Sequence, residues 1–159
     1  MGKCSLLILT VGIPGAGKSY WVREYLRTHP LTYVVSTDDI RKELTGEEQC
    51  IDPSQNEMIH NEARNRVKKI LEDPNSRGGF GPEIIVDSTN CDVEEWKAYK
   101  ELQPTIMVAR LFNAPPWKAY DNIKNRERKV GLEILEMKWA RLQKSRPHLS
   151  KYFNMIITS

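Results

Sequence analysis

Apolar residues along the chain follow two alternating rhythms. Short continuous runs at about 5–11, 33–36, 83–87, 105–112 and 153–158 read as strands. Between them the apolar positions recur every three or four residues, each set making one inward stripe on a helix. Trp21, Val22, Tyr25 and Leu26 form the first stripe, and Ile59, Ala63, Val67 and Ile70 the next. Val93, Trp96, Tyr99 and Leu102 follow the third strand; Ala119, Tyr120 and Ile123, then Leu135, Trp139 and Leu142, follow the fourth. Strands alternating with helices predict an α/β fold: a five-stranded parallel sheet with helices on both faces, right-handed crossovers, and ligands at the carboxyl ends of the strands.

Punctuation agrees with that division. His29-Pro30 closes the first helix, and Asp52-Pro53-Ser54-Gln55 reads as a capping box with proline at the first helical position, opening about five turns that end near Glu72. Asp92 and Glu95 read as caps of the helix behind them, and Asp73 to Pro82 is a turn-rich loop. With 159 residues the expectation is a single domain spanning 1–159, large enough to bury a core without staples. Cys4, Cys50 and Cys91 show no C-x-x-C spacing, which argues against a disulfide framework or a zinc site and makes a cytoplasmic setting the expectation. The run from Leu6 to Val11 is too short to cross a bilayer, so no membrane is expected. A net charge of +3 permits a polyanionic partner without requiring one.

The chemistry begins at the first turn. Gly12-Ile13-Pro14-Gly15-Ala16-Gly17-Lys18-Ser19 is a G-x-x-x-x-G-K-S phosphate loop, placed between a strand and an amphipathic helix as the motif requires. Its glycines let successive N–H groups turn inward, and the helix opening near Lys18 adds its positive end. The expected ligand is ATP or another nucleoside triphosphate, with Lys18 neutralising the β and γ oxygens and the Ser19 hydroxyl as a hard ligand for Mg2+.

The second strand exits into Ser36-Thr37-Asp38-Asp39-Ile40-Arg41. Ser and Asp favour helix starts, and acids suit a first turn. Thr37 or Asp39 serves that purpose, which leaves Asp38 to face the ligand edge as the carboxylate beside an acceptor hydroxyl. Arg41, about one turn on, orients Asp38 or holds a transferring oxygen. The third strand ends at Asp87, in the manner of an acid that holds magnesium or its waters. His60 and Arg64 lie off their helix's apolar stripe and read as surface residues or, less simply, as acceptor contacts. Cations concentrate between 118 and 151; most read as solvated helix faces, but Lys124, Arg126, Arg128 and Lys129 cluster between two helices, where a lid spanning about 118–145 is expected.

In this order the motifs resemble the polynucleotide 5′-hydroxyl kinases, and specifically the kinase domain of the phage end-healing kinase-phosphatase. The residues that carry the likeness are the phosphate loop with Trp21 and Arg23-Glu24, Asp38-Asp39-x-Arg41, Thr89-Asn90, and Asn125 with Arg128 three residues later. Thr37 stands where the phage enzyme has a basic residue, and Asp87 lies one position before the acid that precedes Thr-Asn there. The resemblance implies a P-loop kinase fold and transfer of the ATP γ-phosphate to the 5′-hydroxyl of DNA or RNA. It implies Asp38 as general base, Arg41 touching the acceptor phosphate, Arg128 as the lid arginine on the γ-phosphate, and Lys124 at a second basic lid position. It also implies nucleotide contacts along Gly12, Pro14, Gly15, Ala16, Gly17, Lys18 and Ser19. A small-molecule hydroxyl acceptor, or an ATPase module without a phosphorylated product, are the alternatives.

Overall fold

In a computed structural model, residues 4–46, 53–76, 79–125 and 130–159 are described. In chain order the elements are β1 (Leu6–Val11), α1 (Lys18–Thr28), β2 (Tyr33–Ser36), α2 (Thr37–Thr45), α3 (Pro53–Glu72), β3 (Glu83–Asp87), α4 (Val93–Lys100), β4 (Ile106–Leu111), α5 (Pro116–Ile123), α6 (Leu132–Ser145), a 3-10 turn (Arg146–His148), α7 (Leu149–Tyr152) and β5 (Met155–Thr158). The strands form one parallel sheet in the order β2-β3-β1-β4-β5. β1 is central, with Leu9 opposite Val86 on one side and Ala109 on the other.

Alternation along the strands divides the core between the two sheet faces. Leu7, Leu9, Ile84, Val86, Met107 and Ala109 join the larger core with Ile59, Ala63 and Val67 of α3 and Trp96 and Tyr99 of α4. Ile8, Ile85 and Val108 point the other way, beneath Val22, Trp21, Tyr25 and Leu26 of α1. The Tyr25 hydroxyl donates to Glu83, tying that helix to the start of β3. Among the described residues no helix is long and apolar enough to cross a membrane.

Some local expectations are corrected. The cap of α2 is Ser36, whose Oγ accepts from the Asp39 N–H at 3.3 Å, rather than Thr37 or Asp39. Thr37 is instead buried, its hydroxyl donating to Ser88 Oγ at 3.0 Å. Asp92 holds the N-cap position of α4 without a side-chain cap bond, and faces Arg141 at 4.0 Å. Tyr120 points outward, because Ala119 and Ile123 already fill the buried face of α5. Residues 153 and 154 precede β5 instead of opening it: Phe153 packs edge-on to Trp96, while Asn154 exchanges hydrogen bonds with the Met107 backbone. The cap at Asp52 lies outside the described residues.

A buried web fixes the carboxyl ends of β1 and β3. Thr10 Oγ1 donates to the Ser88 carbonyl at 2.8 Å and accepts from the Ser88 N–H at 3.2 Å. Asn90, held at φ 45 in the left-handed region that Asn tolerates, donates from Nδ2 to the Thr10 carbonyl at 2.8 Å. The Trp96 indole N–H in turn donates to the Asn90 carbonyl at 2.7 Å. Replacing Asn90 with Ala removes the donor and leaves a buried carbonyl without it, a cost of about 1–3 kcal/mol. Thermal unfolding of Asn90→Ala is expected to show a Tm lowered by roughly 2–4 °C per kcal/mol; an unchanged Tm would remove this residue from the frame of the site.

Candidate active site

A cavity of about 660 Å3 opens at the carboxyl edge of the sheet, walled by the first turn, α2, the segment after β3, and faces of α3, α4 and α6. Pro14, Gly15, Gly17, Lys18 and Ser19 line it from the phosphate loop. Gly15 adopts φ 84 and presses so closely on α5 that a Cβ there would lie 2.5 Å from the Ala119 carbonyl oxygen. Asn122 Nδ2 donates to the Gly15 carbonyl at 2.9 Å, fixing the loop to that helix. Gly17, at φ 99, is the N-cap of α1 and lets the loop enter the helix directly. Gly12 and Ala16 are not on the cavity wall: Gly12 is buried against Phe112, and Ala16 packs on the core.

The Lys18 ammonium is buried at the foot of the cavity and donates to the Gly12 and Ile13 carbonyls at 2.8 and 2.7 Å. Burial lowers its pKa to about 8, against the opposing fields of Cys91, Asp87 and Asp38. Ser19 stands exposed in the first turn of α1 on the same wall.

Asp38 and Arg41 lie together on the wall contributed by α2. Arg41 is buried, donating from Nη1 to Asp38 Oδ1 at 2.8 Å and from Nη2 to Asn56 Oδ1 at 3.3 Å, while its Nε has no partner among the described residues. Spacing of three along one helix brings the carboxylate and the guanidinium together, and Asn56 of α3 holds the guanidinium from behind. The Asp38 carboxylate remains more than half exposed on its cavity side. Asp87 is at the end of β3, opposite Ser36 in register and within the electrostatic reach of Lys18, Asp38 and Asp39. Burial raises its pKa, Lys18 opposes the shift, and the two aspartates add to it.

Lys124, expected as a lid contact, is not brought to this wall. Lys124 is exposed and pairs with Asp121 at 3.3 Å. Arg128, with Arg126 and Lys129, lies outside the described residues. Conversely, His60 is half-buried on the cavity wall instead of on the outer surface, beside Asn56, Asp92, Glu95, Lys138 and Arg141. Asn56 and His60 stand one turn apart on α3, a spacing that the sequence carried but that acquires meaning only once α2 is seen to pack on that helix.

Hard oxygens suited to magnesium, from Ser19, Asp87 and Asp38, face one space. Among the described residues no group of three or more His, Cys, Asp or Glu side chains is arranged to hold a metal unaided. That donor set fits a cation which takes one or two protein oxygens and completes its shell with phosphate and water.

The strand-loop-helix cradle under a parallel sheet, with an acid at the end of the neighbouring strand, defines the P-loop kinase fold. A family model described as an AAA domain matches residues 7–149, and the chain belongs to that family. A solved chain of the Pnkp1/Rnl/Hen1 RNA repair complex superposes with a TM-score of 0.76 at 22% identity, covering 94% of this chain and 47% of that one. A gluconokinase from Sinorhizobium meliloti 1021 has a TM-score of 0.61 at 12% identity, covering 95% and 79%. The human NEDD4-binding protein 2 is 32% identical over 115 residues, 71% of this chain but 6% of that protein. The chain therefore spans less than half of the repair-complex chain and a small part of the human relative.

A lysine whose folded pKa lies below its unfolded value costs stability while both states are protonated. For Lys18 that cost is full below about pH 8 and fades as pH rises toward the ordinary value of 10.5. The separation corresponds to about 3 kcal/mol at most. Urea unfolding of the wild type and Lys18→Met at pH 7 and pH 10 is expected to shift their stability difference by about 2 kcal/mol in favour of the wild type. A pH-independent difference would mean that the ammonium is not desolvated in the cradle.

Proposed function

We propose that this chain is an ATP-dependent polynucleotide 5′-hydroxyl kinase. The observation that carries the reading is the Asp38–Arg41 pair facing the same cavity as Lys18 and Ser19. A carboxylate held by a buried arginine beside a phosphate loop suits transfer to an alcohol rather than to water alone. The likeness in fold to a chain of an RNA repair complex supports a nucleic-acid acceptor.

On this reading residues 1–159 act as one catalytic unit, and α6 is the part of the expected lid that closes, because α5 is fixed to the phosphate loop through Gly15 and Asn122. Lys18 leaves the Gly12 and Ile13 carbonyls to meet the β and γ oxygens of ATP. Ser19 and Asp87 would hold Mg2+, which when bound neutralises phosphate charge. The acceptor's 5′-oxygen forms its bond to the γ-phosphorus as the bond to the β–γ bridging oxygen breaks, and its proton passes to Asp38. Arg41, gripped by Asn56 and lining the same cavity, keeps Asp38 turned inward and would touch the acceptor phosphate.

A small-molecule hydroxyl acceptor is the second reading, favoured by a cavity whose volume lies in the range that encloses whole small ligands. Incubation with γ-labelled ATP, Mg2+ and either 5′-hydroxyl oligonucleotides or a panel of sugars and nucleosides separates the two. Label at oligonucleotide ends is expected; label only on small alcohols selects the second reading, and phosphate release without a labelled acceptor rejects both. In the same assay Asp38→Asn is expected to lower kcat by about a hundredfold or more while KM for ATP changes little. Wild-type turnover in that variant would exclude Asp38 as the base.

A further inference from the structure

The cavity extends past the residues that the transfer step uses. From Asp38 it runs to Arg41, then to Asn56 through the hydrogen bond at 3.3 Å, then one turn along α3 to His60, and from His60 Nε2 across 3.8 Å to Glu95 Oε1 on α4. Asp38, Arg41, Asn56, His60 and Glu95 all line the same space. The wall therefore continues from the group that meets the reacting hydroxyl, through Arg41 and Asn56, to a histidine-carboxyl pair one helical turn past Asn56.

That pair is poorly satisfied from within the protein. Its 3.8 Å separation is too long for a hydrogen bond. Glu95 Oε2 is buried and accepts no hydrogen bond among the described residues, and the Tyr99 hydroxyl, one turn along α4, is likewise buried without a partner. Because Oε2 is closed off beneath the cavity surface, a ligand meets the pair through His60 and Glu95 Oε1, which face each other on the wall. Burial, then Arg64, Arg41 and Lys138, hold the His60 imidazole below its ordinary pKa, with Asp92 opposing. Burial and Asp92 push the Glu95 carboxyl up to about 7, against Lys138, Arg64 and Arg141. Both side chains are thus shifted toward neutral forms that recognise a ligand by hydrogen bonds, and each retains an acceptor atom.

We infer that His60 and Glu95 form the acceptor subsite for a second hydroxyl on the sugar being phosphorylated, so that a ribonucleotide end is taken in preference to a deoxyribonucleotide end. The inference rests on the proposed polynucleotide kinase activity and deepens it. A 5′-terminal ribonucleotide carries a free 2′-hydroxyl on the same sugar as its reacting 5′-oxygen, while the terminal sugar of DNA has no such donor. That hydroxyl is the group by which a protein distinguishes the two polymers at a given position. A site built around it rejects the analogue lacking it, because the polar groups that would bind it are left unmet.

The test uses one oligodeoxynucleotide with a 5′-hydroxyl and its twin differing only by a ribose at the first nucleotide. Initial rates give the ratio of kcat/KM for the two ends, and fluorescence anisotropy gives the ratio of Kd without any need for transfer. The wild type is expected to favour the ribose end by about tenfold or more in both, a fraction of what a fully enclosed hydroxyl site achieves. In His60→Ala and Glu95→Ala the ratio is expected to fall toward one; Glu95→Gln, which keeps the shape and hydrogen bonding of the side chain, is expected to retain most of it. Any loss of folded protein lowers both ends alike and leaves the ratio unmoved. Equal use of both ends by the wild type, a preserved ratio in both alanine variants, or a preference that follows the terminal base instead of the sugar would overturn this inference while leaving the kinase reading in place. Failure to bind or label either oligonucleotide would overturn both.

Discussion

The carboxyl ends of β1, β3 and β2 are held side by side by polar side chains that have left solvent. Thr10 binds the backbone of residue 88, Asn90 returns to the Thr10 carbonyl, and Thr37 at the head of α2 reaches Ser88. The Gly12 N–H adds a bond to the Thr89 carbonyl at 2.9 Å. Strand pairing alone sets the spacing of three chain ends; this web sets their relative tilt and height, and with them the directions of Lys18, Asp38 and Asp87. Buried polar networks have this effect because a partly broken one costs more than none at all. The chemistry depends on a hydrogen-bonded joint at the sheet's edge more than on any one catalytic side chain.

Electrostatics at that joint are balanced so that no charge dominates. Lys18 is desolvated and opposed by two aspartates; Asp87 is buried and tempered by Lys18; Asp38 is committed to Arg41. Fixed charges whose fields oppose one another in a low-dielectric space favour whichever charged ligand restores the balance. A polyphosphate does so beside the cradle.

Much of the fold was legible because the responsible signals are local. Continuous apolar runs marked all five strands, and the spacing of Ile59, Ala63 and Val67 placed α3 on the core. The phosphate loop was readable because glycine, lysine and serine occur at offsets set by backbone geometry. Less visible was everything decided by what lies across a gap. Ser36 took the cap because Thr37 found a buried partner 51 positions away, and His60 turned from surface residue to cavity wall because α2 packs on α3 and Glu95 of α4 lies across from it. Tyr120 shares a helical stripe with two smaller residues, and the narrow gap above the phosphate loop admitted only those two. Long-range pairings leave no trace in hydrophobic period, so a single sequence shows which elements exist and where their loops carry chemistry, but not which side chains will meet.

The approach of Gly15 to α5 has a mechanical meaning. With its Cα seated against the Ala119 carbonyl and its own carbonyl bound by Asn122, the loop that receives phosphate and the helix leading toward α6 behave as one rigid part. α5 cannot swing without dragging the cradle, so the helix after β4 and the loop that receives phosphate keep a single register with the sheet.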